Sequence, residues 1–236
     1  MEINMFKKPK NVTLIDAFPG FGLVGTIAGE FLIEHLGVEQ IGKVVMTEVP
    51  AMVAIHGSKV VEPFGIFYSK KYNIVLLHAI MASHGHEWEL ADIIMKLAKD
   101  LSAREIVSLE GVGSGDGSEG GRAFFFANEK KNASKFEKMG INVLKEGIII
   151  GVSGALLLRT ENVPISCIFA ETASNLPDSK AAAKIIEVLD KYLGLDVDPK
   201  PLLEQAEKFE GKLRGILEQG AKAQELSEQK RMSYVG

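Results

Sequence analysis

Cysteine is nearly absent from this sequence. The single one, Cys167, leaves no partner for an internal disulfide, which suits a reducing compartment better than a disulfide-stapled secreted domain. It sits in the apolar run ISCIFAET and reads there as a small buried hydrophobe. Long hydrophobic runs are missing too. An uncharged stretch such as Gly147–Leu158 falls short of the ~20 residues that a membrane-spanning helix needs. The opening, MEINMFKKPKN, has neither the apolar stretch nor the small-residue cleavage site of a secretory signal. An excess of positive charge is lacking as well. Lys and Arg number 27 against 31 Asp and Glu, which leaves no basic footprint for nucleic acid. A cytoplasmic protein with no nucleic-acid or membrane partner is the expectation.

What is present is an alternation of short apolar runs with longer segments of helical period. Strands are expected at Val12–Ile15, Lys43–Thr47, Met52–His56, Ile66–Ser69, Ile74–Ala79, Glu105–Leu109, Ile141–Leu144 and Ile165–Ala170. Helices are expected at Leu23–Leu36, Glu87–Leu101, Glu129–Lys138, around Gly154–Leu158 and at Asp178–Leu193. Strands recurring between helices imply crossover connections, a mostly parallel sheet and helices on both faces. Met52–His56 and Ile66–Ser69 break that rhythm, which suggests a hairpin beside the main sheet. After Leu193 the character changes. GLDVDPKP leads into Leu202, Ala206, Phe209, Leu213 and Ile216, a heptad-like stripe of a helix that packs against a neighbour. We therefore divide the chain into a core of residues 1–197 and a C-terminal helix and tail of residues 198–236.

Three stretches carry candidate chemistry. In VTLIDAFPGFGLVGTIAGEFL, Gly20, Gly22 and Gly25 have the spacing of a dinucleotide fingerprint, and Glu48 stands about where an acid would meet a ribose. Gly25 and Gly29, four apart on the expected helix, equally suit close packing of that helix on the sheet or on a partner helix. HAIMASHGHEWELAD holds His78, His84, His86, Glu87 and Glu89, a zinc-like set. Acids in the first turn of a helix need no metal, however, since the helix dipole favours them. Trp88, the only tryptophan, packs that helix down or joins an interface. The glycine-rich loop Glu110–Arg122 follows a strand, where α/β sheets usually bind ligands, but lacks the Gly-Lys-Ser/Thr ending of a phosphate loop. Ser108, Ser114, Ser153 and Ser174 lie outside any Gly-x-Ser-x-Gly elbow, and Cys167 has no histidine partner in sequence.

Taken together, DAFPGFGLVGTIAGEFLIEHLG, GVSGALLL, ETASNLPDSKAAAKIIEVLDKYLGLDVD and LLEQAEKFEGKLRGILEQ resemble one family over about Asp16 to Gln219. The chain is similar to archaeal members of the proteasome assembly chaperone family, the type related to the second eukaryotic assembly chaperone. That resemblance implies an α/β fold, a three-layer α/β/α sandwich of phosphorylase/hydrolase-like architecture, to which the stripe Leu202–Ile216, fading into a polar end, adds a projecting C-terminal helix. It implies a non-catalytic factor without a cofactor or metal, self-association, and binding to proteasome core-particle α-subunits, with a second family member as a further partner. Gly20, Gly22 and Gly25 would then serve backbone geometry. The family's docking device is a C-terminal hydrophobic–Tyr–any tripeptide. Here the end reads RMSYVG, so Tyr234, Val235 and Gly236 are the corresponding tail, with the tyrosine one place early and Ser233 before it. An enzyme of the same fold that binds a nucleoside or nucleotide, using Glu110, His84, His86 and the loop Gly111–Arg122, is the alternative.

Overall fold

Four uncharged or nearly uncharged runs form the buried centre of one sheet. The computed structural model describes residues 1–47, 53–56, 59–80, 85–113, 121–159, 163–172, 176–208, 210–211 and 213–215. In chain order these give β1 (Glu2–Met5), β2 (Thr13–Ala17), α1 (Val24–His35), β3 (Glu39–Val45), β4 (Ala54–His56), β5 (Lys59–Val61), β6 (Phe64–Ser69) and β7 (Ile74–Ala79). There follow α2 (Glu87–Asp100), β8 (Glu105–Gly113), β9 (Ala123–Ala127), α3 (Lys130–Lys138), β10 (Asn142–Val143), α4 (Val152–Arg159), β11 (Ile165–Thr172), α5 (Ser179–Leu193) and α6 (Lys200–Glu204). Strand order in the main sheet is β1-β3-β6-β7-β2-β8-β11-β9-β10. The central strands β7, β2, β8 and β11 run parallel. All residues of β2, β7 and β11 are buried, as expected of strands covered on both faces.

Alternation along these strands sends side chains to two separate cores. On one face, Ile15, Leu76, Val107, Leu109 and Ile168 pack beneath α1, α3 and α5. On the other, Leu14, Val75, Leu77, Ile106, Cys167 and Phe169 pack beneath α2 and α4. The result is the expected α/β/α sandwich. Local chemistry fixes α5 at both ends. Asp178 caps its start by accepting the Ala181 N–H at 2.9 Å, and Gly194 ends it at φ 69°.

Differences from the sequence reading have physical reasons. The hairpin beside the main sheet is formed by β4 and β5, whereas Ile66–Ser69 belongs to β6 and pairs with β3 and β7. Periodicity finds extended segments but not their partners. The strand β9 was concealed behind the glycine-rich loop, although its Phe125 stacks on Phe136, which in turn stacks on Tyr192. The edge strand β1 alternates exposed and half-buried residues and so has no apolar run to reveal it. Of the C-terminal stripe, Leu202 and Leu213 are buried in the same hydrophobic core as α1 and α5 of their own chain, and Ala206 is half-buried. Phe209 and Ile216 lie outside the described residues.

Candidate functional site

At the carboxyl ends of β2 and β8, polar side chains interrupt the apolar face that α4 covers. Asp16 comes from β2, Ser108 and Glu110 from β8, and Ser153 from the first turn of α4. Register places Asp16 beside Ser108, and the two-residue period puts Glu110 on the same face. Ser108 Oγ lies 3.1 Å from Asp16 Oδ1 and 2.9 Å from Ser153 Oγ. Ser153 Oγ is in turn 3.0 Å from Glu110 Oε2. Glu110 Oε1 accepts the backbone N–H groups of Phe21, at 3.2 Å, and Gly111, at 3.1 Å. Among the described residues, Asp16 Oδ2 is buried and has no hydrogen-bond partner.

Burial dominates the electrostatics of this row. It pushes the Asp16 carboxyl up to about 8, with the Ser108 hydrogen bond pulling back and the Glu110 charge adding to the rise. The Glu110 carboxyl also goes up through burial, to about 7, opposed by the hydrogen bonds from Ser153, Gly111 and Phe21. Beside them Cys167 is buried, and both its desolvation and the two carboxylates push its thiol up, far from a reactive thiolate.

The glycine segment closes over this row. Gly22 adopts φ 66° and Leu23 φ 51°, so the chain reverses through two left-handed residues before α1 starts. A Cβ on Gly20 would collide with the Glu110 carboxylate. The anion held by the turn's Phe21 N–H is thus the chain's own Glu110, where a dinucleotide turn would hold a phosphate. Gly25 and Gly29 both face the sheet. A Cβ on Gly25 would lie 2.5 Å from the Leu109 carbonyl oxygen, and one on Gly29 would lie 2.5 Å from Ala17 Cβ.

The glycine segment lies within a longer stretch that matches known proteins. The model of the PAC2 family matches residues 14–217. The chain belongs to the PAC2 family. Among solved structures it is similar to Pyrococcus furiosus PbaA, described as an archaeal homolog of proteasome-assembly chaperone, with TM-score 0.84 and 31% identity over 94% of this chain and 99% of that one. A protein of unknown function from Thermoplasma acidophilum matches with TM-score 0.81 and 26% identity, over 94% of this chain and 92% of that one. An uncharacterised protein of Methanocaldococcus jannaschii is 28% identical over 228 residues, 96% of this chain and 94% of its own.

In this PAC2 chain the residues singled out from sequence are dispersed. His78 is buried on the face toward α1, its Nε2 3.3 Å from the Thr26 carbonyl oxygen. His86 stands before α2 with Nδ1 3.7 Å from Glu89, and Glu87 accepts the Gly85 N–H. Among the described residues no group of three or more His, Cys, Asp and Glu could hold a metal. Trp88 links two helices: the Arg159 guanidinium of α4 lies 5.1 Å from its ring centroid and pairs with Asp92 of α2. Arg122, at the end of the glycine-rich loop, pairs with Glu171 of β11 through two contacts of 2.7 Å. Glu48, His84, Ser114, Ser174, Tyr234, Val235 and Gly236 lie outside the described residues.

Sequence reasoning named Ser108, Ser153 and Glu110 separately and passed over Asp16. A signal did exist: TLIDA and IVSLEG each place a polar residue within an apolar run, and in the second Ser108 and Glu110 are two apart, hence on one face. A second buried carboxylate was also missed. Glu105 accepts from Asn132 at 2.8 Å, from Tyr192 at 2.8 Å and from Ser166, fastening α3 and α5 to the sheet. Burial raises its pKa, opposed by the Ser166 and Tyr192 hydrogen bonds and by Lys135 and Arg104.

Proposed function

We propose that this chain is a non-catalytic, chaperone-like factor that binds proteasome core-particle α-subunits and assists their assembly as a homo-oligomer. The observation that carries this reading is the likeness to PbaA along nearly the whole of both chains, at 31% identity. The carboxyl-end cluster gives it chemical support. Ser108 and Ser153 are bonded to each other within the row, and Glu110 Oε1 is taken up by the backbone N–H groups of the glycine turn and Gly111. Co-purification tests the reading: the full chain should retain proteasome α-subunits from a mixture of purified core-particle subunits. Saturable binding of a nucleoside or nucleotide, with no retention of α-subunits, would overturn it in favour of an enzyme.

Self-association belongs to the same proposal. With Leu202 and Leu213 buried in their own chain, the surface offered to a second copy is Ala206 together with Leu203, which is 44% exposed. The proposed contact extends to Phe209 and Ile216 on the sequence pattern. Light scattering should give a multiple of the chain mass at low concentration. A monomeric mass throughout dilution would reject the homo-oligomer.

A further inference from the structure

The row Asp16–Ser108–Ser153–Glu110 sets a counting problem for protons. Three oxygen–oxygen contacts of 2.9–3.1 Å link the four side chains. Each contact needs one proton between its oxygens, and the two hydroxyls supply one each. With both carboxyl groups ionised, Ser108 would donate to Asp16 and Ser153 to Glu110. The two hydroxyl oxygens would then face each other at 2.9 Å with no proton between them, which is repulsive. One carboxyl proton removes the conflict. It belongs on Asp16, because Glu110 Oε1 already accepts two backbone N–H groups, which stabilise a charge there. Asp16 Oδ2 receives no hydrogen bond from the described residues, and a bare buried oxygen is tolerable on a neutral acid but costly on a carboxylate.

We propose that Asp16 holds a proton at neutral pH and donates it to Ser108, which donates to Ser153, which donates to ionised Glu110, forming a one-proton clamp that fastens α4 and the Gly20–Phe21 turn to the sheet. The direction of every bond then follows from one proton. Losing it reverses the Ser108 hydroxyl and breaks the Ser108–Ser153 bond, so the clamp opens in its middle. The surrounding groups leave that proton on the row. β7 presents apolar Leu77 beside Asp16, while its His78 faces α1 on the opposite side of the sheet. From β11 come Cys167, a buried thiol, and Glu171, whose charge is matched by Arg122. The charged Arg159 of α4 pairs with Asp92 of α2, and both are exposed. Glu89 is exposed, while Glu87 and His86 sit half-buried before and in the first turn of α2.

The clamp makes stability depend on pH in a fixed direction. Unfolded, Asp16 loses its proton near the usual carboxylate range. Folded, it keeps the proton up to about 8. Over that interval the folded state binds more protons, so stability falls as pH rises. Urea midpoints of the full chain should therefore decline from about pH 4 to about pH 8 and level off above that. Asp16→Asn, which donates to Ser108 without titrating, should remove the part of the decline between about pH 7 and about pH 8, above the range of Glu110. Carbon-13 titration of the carboxyl groups reads the proton directly: Asp16 protonated and Glu110 ionised at the start of the alkaline transition. Ser153→Ala separates proton counting from plain burial. It removes the contact that demands the third proton, so Asp16 should ionise at lower pH than in the natural chain. If Asp16 is ionised at neutral pH, or keeps its proton equally well in Ser153→Ala, the clamp is overturned. That result would leave α-subunit binding untouched, since co-purification measures it independently. Should Asp16→Asn fail to fold, the two carbon-13 titrations decide.

Discussion

Replacing Gly25 by alanine should destabilise the fold by about 3 kcal/mol, although Gly25 lies in a helix where alanine is intrinsically better. The opposing magnitudes decide the sign. Removing a helical glycine gains about 1 kcal/mol at most. The added Cβ would stand 2.5 Å from the Leu109 carbonyl oxygen and 2.8 Å from that of Phe18. Both are backbone atoms, one on a central strand and one in the turn, so neither can swing aside as a side-chain tip would. Gly211 offers the contrast. Its backbone is helical and a Cβ there meets none of the described residues within 4 Å, so Gly211→Ala should be neutral or stabilising by up to about 1 kcal/mol. Urea midpoints of the two variants should move in opposite directions. A Gly25→Ala protein as stable as the natural chain would show that α1 can stand off the sheet, and the close approach would lose its explanatory role.

The same glycine shows how far the sequence could be read. That Gly25 and Gly29 share a helix face follows from their spacing, and the recurrence of the near-continuous apolar runs TLIDA, IVLLHA and ISCIFAET between helical segments is enough to predict a sheet buried on both faces. Both ends of α5 could be read from Asp178 and Gly194, because capping is local chemistry. The site required non-local information. Asp16 and Ser108 are 92 residues apart and meet only because β2 lies beside β8, a neighbour relation that no period encodes. Ser153 joins them through the packing of α4, whose short apolar sequence does not indicate which strands it covers. The fingerprint is ambiguous for the same reason. Gly20-x-Gly22-x-x-Gly25 defines a sharp turn into a helix, but what the turn's N–H groups bind is set by the opposite strand, which here supplies Glu110.

Deleting Ser233–Gly236 should leave the melting temperature and the oligomer unchanged while weakening capture of proteasome α-subunits roughly thirtyfold, the equivalent of losing one aromatic anchor worth about 2 kcal/mol. Stability should be indifferent because QKRMSYVG carries too little apolar surface to offset the entropy of ordering it. Binding should respond because Tyr234 is the only aromatic residue after Phe209, and an aromatic ring with a hydroxyl suits a pocket that is apolar inside and polar at its mouth. Several copies of the segment on one homo-oligomer would multiply the effect, since each further contact forms within an already bound complex. Tyr234→Ala in the full-length chain then separates the ring from the rest of the segment. If it reproduces the deletion, the displaced tyrosine serves as the anchor despite standing one place early. If both variants capture α-subunits as well as the natural chain, docking does not use Tyr234. The contact would then have to come from the folded domain, where Ile148, Ile150 and Leu158 around α4 are 89%, 80% and 75% exposed. Charge substitutions there, such as Leu158→Glu, would become the variants that abolish capture.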